Sequence, residues 1–136
     1  MATLGSRSSV IFDLDNDGDL DIVTNDFNSE PQVFISNLSA KNEIHFIKVQ
    51  LAGRSSNRNG LGATVKVSAG RSVYTQYNDG KSGYLSQSDL PLYFGLGNAT
   101  EIDQIDVQWP SGKKSVIQKP IKMNTAIRIE EENPTK

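Results

Sequence analysis

Five aspartates stand at alternate positions of a nine-residue stretch near the start of the chain. Gly18 lies within this stretch, and the aspartates are Asp13, Asp15, Asp17, Asp19 and Asp21. A hard divalent cation takes six to eight oxygen ligands, which a tightly curled loop supplies when carboxylates alternate along it and Gly stands at the sharpest bend. This spacing therefore predicts a cation site formed by all five aspartates.

Calcium is the cation that fits this loop best. Magnesium prefers to keep its waters and rarely uses a carboxylate-dense protein cage. The alternative without a metal is a solvated acidic turn, since Asp, Asn and Gly are common turn formers. Five neighbouring carboxylates repel one another strongly unless a cation lies among them, whereas an empty turn needs only one or two. We therefore expect Ca²⁺ as the cofactor, and by analogy with similar loops Asp19 would bind it through its backbone carbonyl.

The residues on either side of the loop indicate strands rather than helices. An EF-hand needs flanking helices and a bidentate Glu at position 12 of the loop, where this chain has Thr24. Residues 9–12 and 20–23 are instead rich in apolar and β-branched side chains. The loop is thus interpreted as the bend of a β-hairpin that closes at Asp21, and as a structural clip rather than a calcium sensor.

The rest of the chain has the pattern of short strands. Helical periodicity is hard to find, and residues 64–68 and 105–109 alternate strictly between apolar and polar, as a half-buried antiparallel sheet requires. Turn residues between the strands favour an all-β antiparallel sandwich or barrel. The predicted strands are 8–12, 20–24, 32–36, 45–51, 63–68, 73–78, 92–96, 105–109, 115–118 and 125–130.

Charge divides the chain into two parts. Residues 1–44 contain 8 acidic and 2 basic residues, a net charge of −6, while residues 45–136 contain 8 acidic and 12 basic residues, a net charge of +4. A focused acidic segment fits a bound cation, and the weak positive charge of the remainder does not argue for nucleic acid. We place the boundary at 39–43 and predict a frayed tail over 131–136.

Composition excludes several kinds of site. The chain has no cysteine, so disulfides and thiolate metal sites are absent, and it has one histidine, which excludes imidazole-rich metal sites. Its apolar runs fall short of the roughly 20 residues that a membrane span needs, so membrane insertion is not expected. The first residues lack the charged and apolar segments of a signal peptide.

Two stretches of the chain resemble known families. Residues 10–23 resemble a calcium-loop β-propeller repeat of the FG-GAP or VCBS type. The remainder resembles the ASPIC and UnbV domain of cartilage acidic proteins and their bacterial relatives. Four stretches carry the second resemblance, namely GRSSNRNGLGA at 53–63, SGYLSQS at 82–88, LYFGLG at 92–97 and VQWPSG at 107–112.

These resemblances imply a domain order and a cellular location. Residues 1–44 would be a partial repeat, and residues 45–130 a sandwich of jelly-roll-like type. A propeller needs several blades, so the resemblance implies the C-terminal part of a longer protein. That protein would be secreted, displayed at the cell surface or periplasmic.

The function expected from this reading is a non-catalytic extracellular binding or adhesion module whose partner is a protein or a glycan. An accessory domain of a larger enzyme or assembly, and a carbohydrate-binding module, are the alternatives. Exposed strand edges would also allow two copies to dimerise edge to edge.

Two polar clusters and a set of aromatic residues are further candidates. The polar clusters are either a ligand site or groups that tie loops together by hydrogen bonding to backbone, and we favour the second reading. The aromatics are either core or a sugar-stacking platform, and we favour core. The polar residues are Ser56, Asn57 and Arg58 with Ser86, Gln87 and Ser88, and the aromatics are Trp109 with Tyr74, Tyr77, Tyr84 and Tyr93.

Catalysis has little support in the sequence. No nucleophile elbow, phosphate-binding loop or HExxH motif is present. His45 is the sole imidazole, and Glu101 with Asp103 is an acidic pair of the kind common on surface turns. We therefore expect no catalytic residue. Asn37 and Asn98 stand in glycosylation acceptor triplets, which matter only in a eukaryotic secretory host.

Overall fold

The computed structural model describes residues 5–81 and 87–132, and the chain divides into two compact units. One unit is Met1–Ile44 with Gly80–Asp89, and the other is His45–Asp79 with Leu90–Lys136. The sequence predicts a single boundary at 39–43 and an unbroken second domain. The structure instead groups the segment Gly80–Asp89 with the first unit.

The first unit contains a three-stranded antiparallel sheet in the order β1-β2-β3. Phe12 pairs with Asp21 at the last step of the β1–β2 ladder, so the hairpin closes at Asp21 as predicted. Central Val23 pairs with Val10 on one side and with Val33 on the other. The strands are β1 (Ser6–Phe12), β2 (Asp21–Asp26) and β3 (Gln32–Phe34).

The second unit contains two further sheets. One has the order β10-β4-β7 and the other the order β6-β5-β8-β9. Neighbouring strands are antiparallel except for β10 and β4, which are parallel. The strands are β4 (Phe46–Ala52), β5 (Thr64–Ala69), β6 (Ser72–Tyr77), β7 (Leu92–Gly95), β8 (Ile102–Gln108), β9 (Lys114–Ile121) and β10 (Thr125–Glu130).

All ten predicted strands form, with small differences at their ends. The largest differences are at β8, which begins at Ile102 rather than at residue 105, and at β9, which ends at Ile121 rather than at residue 118. Both extensions arise because Ile102 pairs with Ile121 beyond an irregularity in the ladder. The described residues contain no helix. Within residues 5–81 and 87–132 no helix is therefore long and apolar enough to cross a membrane.

Alternation along the strands of the second unit builds its core. Val65 and Val67 of β5 and Ile105 and Val107 of β8 are at most 1% exposed, while the residues between them face outward. Burying one such side chain stabilises the fold by about 1.5–3 kcal/mol. Strands of both sheets contribute to one apolar cluster, which makes this unit a β-sandwich. The all-β sandwich prediction is confirmed.

Trp109 belongs to this core. It follows β8 directly, is 2% exposed and donates a hydrogen bond from its indole Nε1 to Ser115 Oγ at 2.8 Å. Burial removes the apolar ring from water, and the hydrogen bond to Ser115 provides a partner for the one polar atom of the ring. The core reading of Trp109 is confirmed, so its ring cannot stack on a sugar. The core reading is wrong for Tyr77, which is 62% exposed because it lies on the outward side of its strand. Tyr84 lies outside the described residues.

Candidate metal centre

The β1–β2 hairpin presents the aspartates on a curled connection between its strands. Asn16 has φ 64° and Gly18 has φ 96°, so the chain turns twice through the left-handed region. That region is open to Gly and tolerated by Asn, while most other residues are strained there. The sequence places those two residue types where the loop curls most.

Three of the five aspartates converge. One carboxylate oxygen each from Asp13, Asp15 and Asp21 lies within 4.8 Å of the other two. Asp13 and Asp21 are buried, at 8% and 1% exposed, while Asp15 is exposed. Partial desolvation raises the pKa of Asp15 most, and the negative charges of Asp17, Asp21 and Asp13 raise it further. A cation among these oxygens would remove that repulsion.

Backbone N–H groups hold the converging carboxylates in place. The Leu14 N–H donates to Asp21 Oδ2 and the Ser36 N–H donates to Asp21 Oδ1, both at 2.8 Å. The Gly18 N–H donates to Asp13 Oδ2 at 3.1 Å. Partners of this kind orient the carboxylates of a metal site before the ion arrives.

Asp17 and Asp19 turn toward Ser39 rather than toward the other three. The Ser39 N–H donates to Asp19 Oδ2 at 2.7 Å and lowers the pKa of Asp19 more than any other group does. The Ser39 hydroxyl donates to Asp17 Oδ2. Sequence reasoning missed Ser36 and Ser39, since they lie 15 and 20 residues beyond the aspartates they contact.

The described residues fit a hard cation such as Ca²⁺. Asp13, Asp15 and Asp21 offer oxygen only, which hard cations prefer. Bound Ca²⁺ would supply positive charge to the loop and cross-link its carboxylates.

The polar cluster at 56–58 ties its loop together. Asn57 exchanges two hydrogen bonds with the backbone of Leu61, each 2.7 Å long. The Arg58 carbonyl accepts the Gly53 N–H at 3.0 Å, but the Arg58 side chain has no ion pair or hydrogen bond within the described residues. The structural reading therefore holds for Asn57. The predicted pairing of the Arg58 side chain with a carboxylate or a carbonyl is not found among the described residues and stays a prediction.

The second polar cluster lies in the first unit. Gln87 forms an isolated β-bridge with Lys81, and the Ser88 N–H donates to the Gly80 carbonyl at 2.9 Å. Ser86 lies outside the described residues. The bridge and the hydrogen bond join backbone segments that lie next to each other. This second cluster therefore also fits a structural role.

Glu131 is a buried, hydrogen-bonded residue whose role the sequence pattern did not predict. It is 2% exposed, although it stands at the start of the predicted frayed tail. Its Oε2 accepts three successive N–H groups, from Arg54, Ser55 and Ser56, at 2.8, 2.8 and 2.7 Å. Its Oε1 accepts the hydroxyls of Ser56, at 3.0 Å, and of Ser111. The prediction of fraying is wrong at this residue because its carboxylate is fully bonded.

These hydrogen bonds decide the ionisation of Glu131. Burial raises the pKa of the carboxyl, but hydrogen bonds from the Ser111 hydroxyl and from the N–H groups of Ser56 and Arg54 outweigh it and lower the pKa to about 2. The group is therefore charged at neutral pH. It anchors the strand β10 to the loop at 53–58.

The acidic pair at 101 and 103 forms a surface ion cluster. Lys119 Nζ lies 3.4 Å from Glu101 and 3.1 Å from Asp103. The Gly70 N–H, which donates to Asp103 at 2.8 Å, is the largest cause of the lowered pKa of Asp103. Both carboxylates thus already have partners in the structure.

A protein-family model matches this sequence. It is the model described as ASPIC and UnbV, and it matches residues 53–136, which is more than half of the chain. The chain belongs to the ASPIC and UnbV family. No curated protein matches the chain. Family membership suggests a domain of larger, extracellular-type proteins. The aspartate loop lies before the matched residues, so its likeness to an FG-GAP or VCBS repeat stays a prediction.

Two glycines in the ASPIC and UnbV region show why its first motif is rich in Gly. A Cβ on Gly53 would lie 2.0 Å from the Asn57 carbonyl oxygen. Gly60 has φ 64°, and a Cβ there would lie 2.8 Å from the Leu51 Cβ and 3.2 Å from the Trp109 ring. This stretch of the family domain therefore folds against its own backbone and the core.

Proposed function

We propose that this protein is a calcium-binding, non-catalytic, extracellular binding or adhesion module. The observation that carries the calcium site is the convergence of Asp13, Asp15 and Asp21 within 4.8 Å. The backbone N–H groups that orient Asp13 and Asp21 support it. Calcium would brace the hairpin against the segment at 36–39, because that segment already binds Asp21, Asp19 and Asp17.

Calorimetric titration of metal-free protein tests the calcium site. We expect one binding event with Ca²⁺ in the wild type, and its loss in Asp21→Asn. Glu30→Gln is the matched control, because Glu30 is an exposed acidic residue of the same unit. Absence of binding heat at millimolar Ca²⁺, or equal weakening by both variants, would refute the site.

The proposal of a non-catalytic role rests on the partners that the polar candidate residues already have. Glu101 and Asp103 share Lys119, and Ser56 is bonded to Glu131. The Glu131 carboxylate, with its pKa lowered to about 2, is a weak general base for the Ser56 hydroxyl, and the Lys119 ammonium already pairs with both Glu101 and Asp103. Location outside the cytoplasm, whether secreted, at the cell surface or periplasmic, is proposed from the family alone.

A protein partner for the first unit is proposed from its exposed apolar row. Ile11, Ile22 and Phe34 pair across the three strands and are 58%, 40% and 48% exposed. Each outer strand has one neighbour in this sheet. Open edges and exposed apolar side chains favour association with another chain, and a second copy is the simplest candidate.

A further inference from the structure

The outward face of the four-stranded sheet presents rows of aligned side chains. Strand register places Tyr77, Thr64, Gln108 and Lys114 in one row. The neighbouring row contains Thr75, Lys66, Asp106 and Val116. Four strands span about 14 Å across the sheet, so a row is long enough for an extended ligand rather than for a single small ion.

A groove of about 310 Å³ lies on this face. Its lining includes the hydroxyl of Thr64, the amide of Gln108, the carboxylate of Asp106 and the ammonium groups of Lys66 and Lys114. This volume lies at the lower end of the range for ligand sites, and a few polar groups of differing type are typical of such sites.

The side chains of the groove that can pair with a charged ligand are mainly cationic. Lys66 and Lys114 are exposed, and neither forms an ion pair with any residue in the described ranges. Asp106 carries the opposing charge, but both of its oxygens accept the Gln104 Nε2, each at 2.8 Å. Two ammonium groups and one carboxylate leave the lining of the groove with a net charge of +1, which favours a ligand with negative charge.

The remaining groups suit the neutral parts of a sugar. Gln108 uses its Nε2 on the carbonyls of Trp109 and Lys113, at 3.4 and 3.1 Å, which leaves its Oε1 to accept from a hydroxyl. Tyr77 stands beside Thr64 in the same row and is 62% exposed. An exposed aromatic ring next to hydrogen-bonding groups offers a surface for the apolar side of a pyranose.

We propose that this groove binds an acidic oligosaccharide, with Lys66 and Lys114 pairing to its carboxylates and Tyr77 lying against one ring. A nucleic acid is disfavoured, because binding of single strands uses several aromatic rings on which successive bases stack, whereas Tyr77 is a single ring beside the groove. The proposal rests on the proposed role as a binding module, whose ligand class it specifies, and it does not rest on the calcium site.

Titration with a tetramer of galacturonic acid tests the groove on the full chain. We expect saturable binding to the wild type, and at least tenfold weaker binding by Lys66→Ala combined with Lys114→Ala. Tyr77→Ala should weaken binding several-fold. Lys122→Ala is the matched control, because Lys122 is an exposed lysine just beyond the far end of β9 from Lys114, and we expect it to bind within twofold of the wild type.

Cellotetraose, single-stranded DNA, and the presence or absence of calcium are the comparisons in this test. Uncharged cellotetraose should bind at least tenfold more weakly than the acidic tetramer. Absence of binding by the acidic tetramer, equal binding of cellotetraose, equal loss in Lys122→Ala, or tighter binding of single-stranded DNA would each overturn the proposal. Each titration is run with calcium and with chelator. Failure of the calcium site would then appear in the metal titration alone, and failure of the groove in the sugar titration alone.

Discussion

At the scale of single residues, the same chemical group serves two different purposes in this molecule. The Glu131 carboxylate is buried and fully supplied with donors, so its charge is balanced by protein hydrogen bonds. The Asp13, Asp15 and Asp21 carboxylates instead face one another. A carboxylate with converging N–H groups is a structural anchor, and carboxylates that converge on one another form a site for a cation.

Replacing Glu131 with Gln should lower stability at neutral pH. The amide cannot accept all five hydrogen bonds with the strength of a charged group, so we expect a loss of about 1.5–3 kcal/mol in the free energy of unfolding. Urea denaturation measures it. Glu132→Gln, which changes the adjacent exposed residue, should leave the midpoint nearly unchanged. Equal effects of the two substitutions would contradict the role of Glu131.

The pH dependence of stability provides a separate test of the same carboxylate. The folded-state pKa of about 2 lies below the ordinary value of 4.5, so the unfolded chain binds the proton more readily. Its stabilising contribution is therefore present above about pH 4.5 and is lost as the pH falls toward 2. The stability difference between wild type and Glu131→Gln should shrink over this range. A difference that stays constant from pH 7 to pH 2.5 would be inconsistent with a charged anchor.

At the scale of the elements, the sequence predicted what depends on local pattern. Alternation over residues 64–68 and 105–109 predicts strands because it matches the pleat of a sheet with one buried face. The aspartate spacing located the hairpin bend for the same local reason. The parallel pairing of β10 with β4 joins residues 78 positions apart, and the contact of Glu131 with Ser55 in the loop at 53–58 joins residues 76 positions apart. No local pattern reports such contacts.

Gly60→Ala tests how closely the loop of the first family motif approaches the core. Gly60 and Gly70 have nearly the same positive φ, 64° and 60°, but only Gly60 has atoms within 4 Å of the added Cβ. Both substitutions should cost about 1–2 kcal/mol for the backbone, and Gly60→Ala should cost a further 1–3 kcal/mol for the clash. Chemical denaturation of the pair measures the difference. Equal destabilisation would show that the loop can move away from Leu51.

At the scale of the whole molecule, each of the two units carries its own proposed recognition surface. The first has an exposed apolar row and open strand edges, and the second has a polar groove on the outward face of its larger sheet. The calcium loop belongs to the first unit. Calcium should therefore affect the apolar surface more directly than the groove.

Self-association through the first unit should depend on its apolar row. Phe34→Lys places a charge on an edge strand, which opposes both apolar contact and edge pairing. We expect the wild type to show a concentration-dependent dimer in sedimentation velocity and the variant to remain monomeric. Thr75→Lys, an exposed change on the edge strand β6 of the other unit, is the control. Dimers that persist in Phe34→Lys would exclude this surface.

The stability of metal-free protein as Ca²⁺ is added tests the central claim most directly. A ligand that binds only the folded state raises stability by about 2.7 kcal/mol at a hundred times its Kd. We predict that calcium raises the thermal midpoint of the wild type, that chelator reverses the rise, that magnesium at equal concentration does much less, and that Asp21→Asn abolishes the response. A midpoint that is unchanged by millimolar Ca²⁺, or that rises equally in Asp21→Asn, would contradict the calcium site.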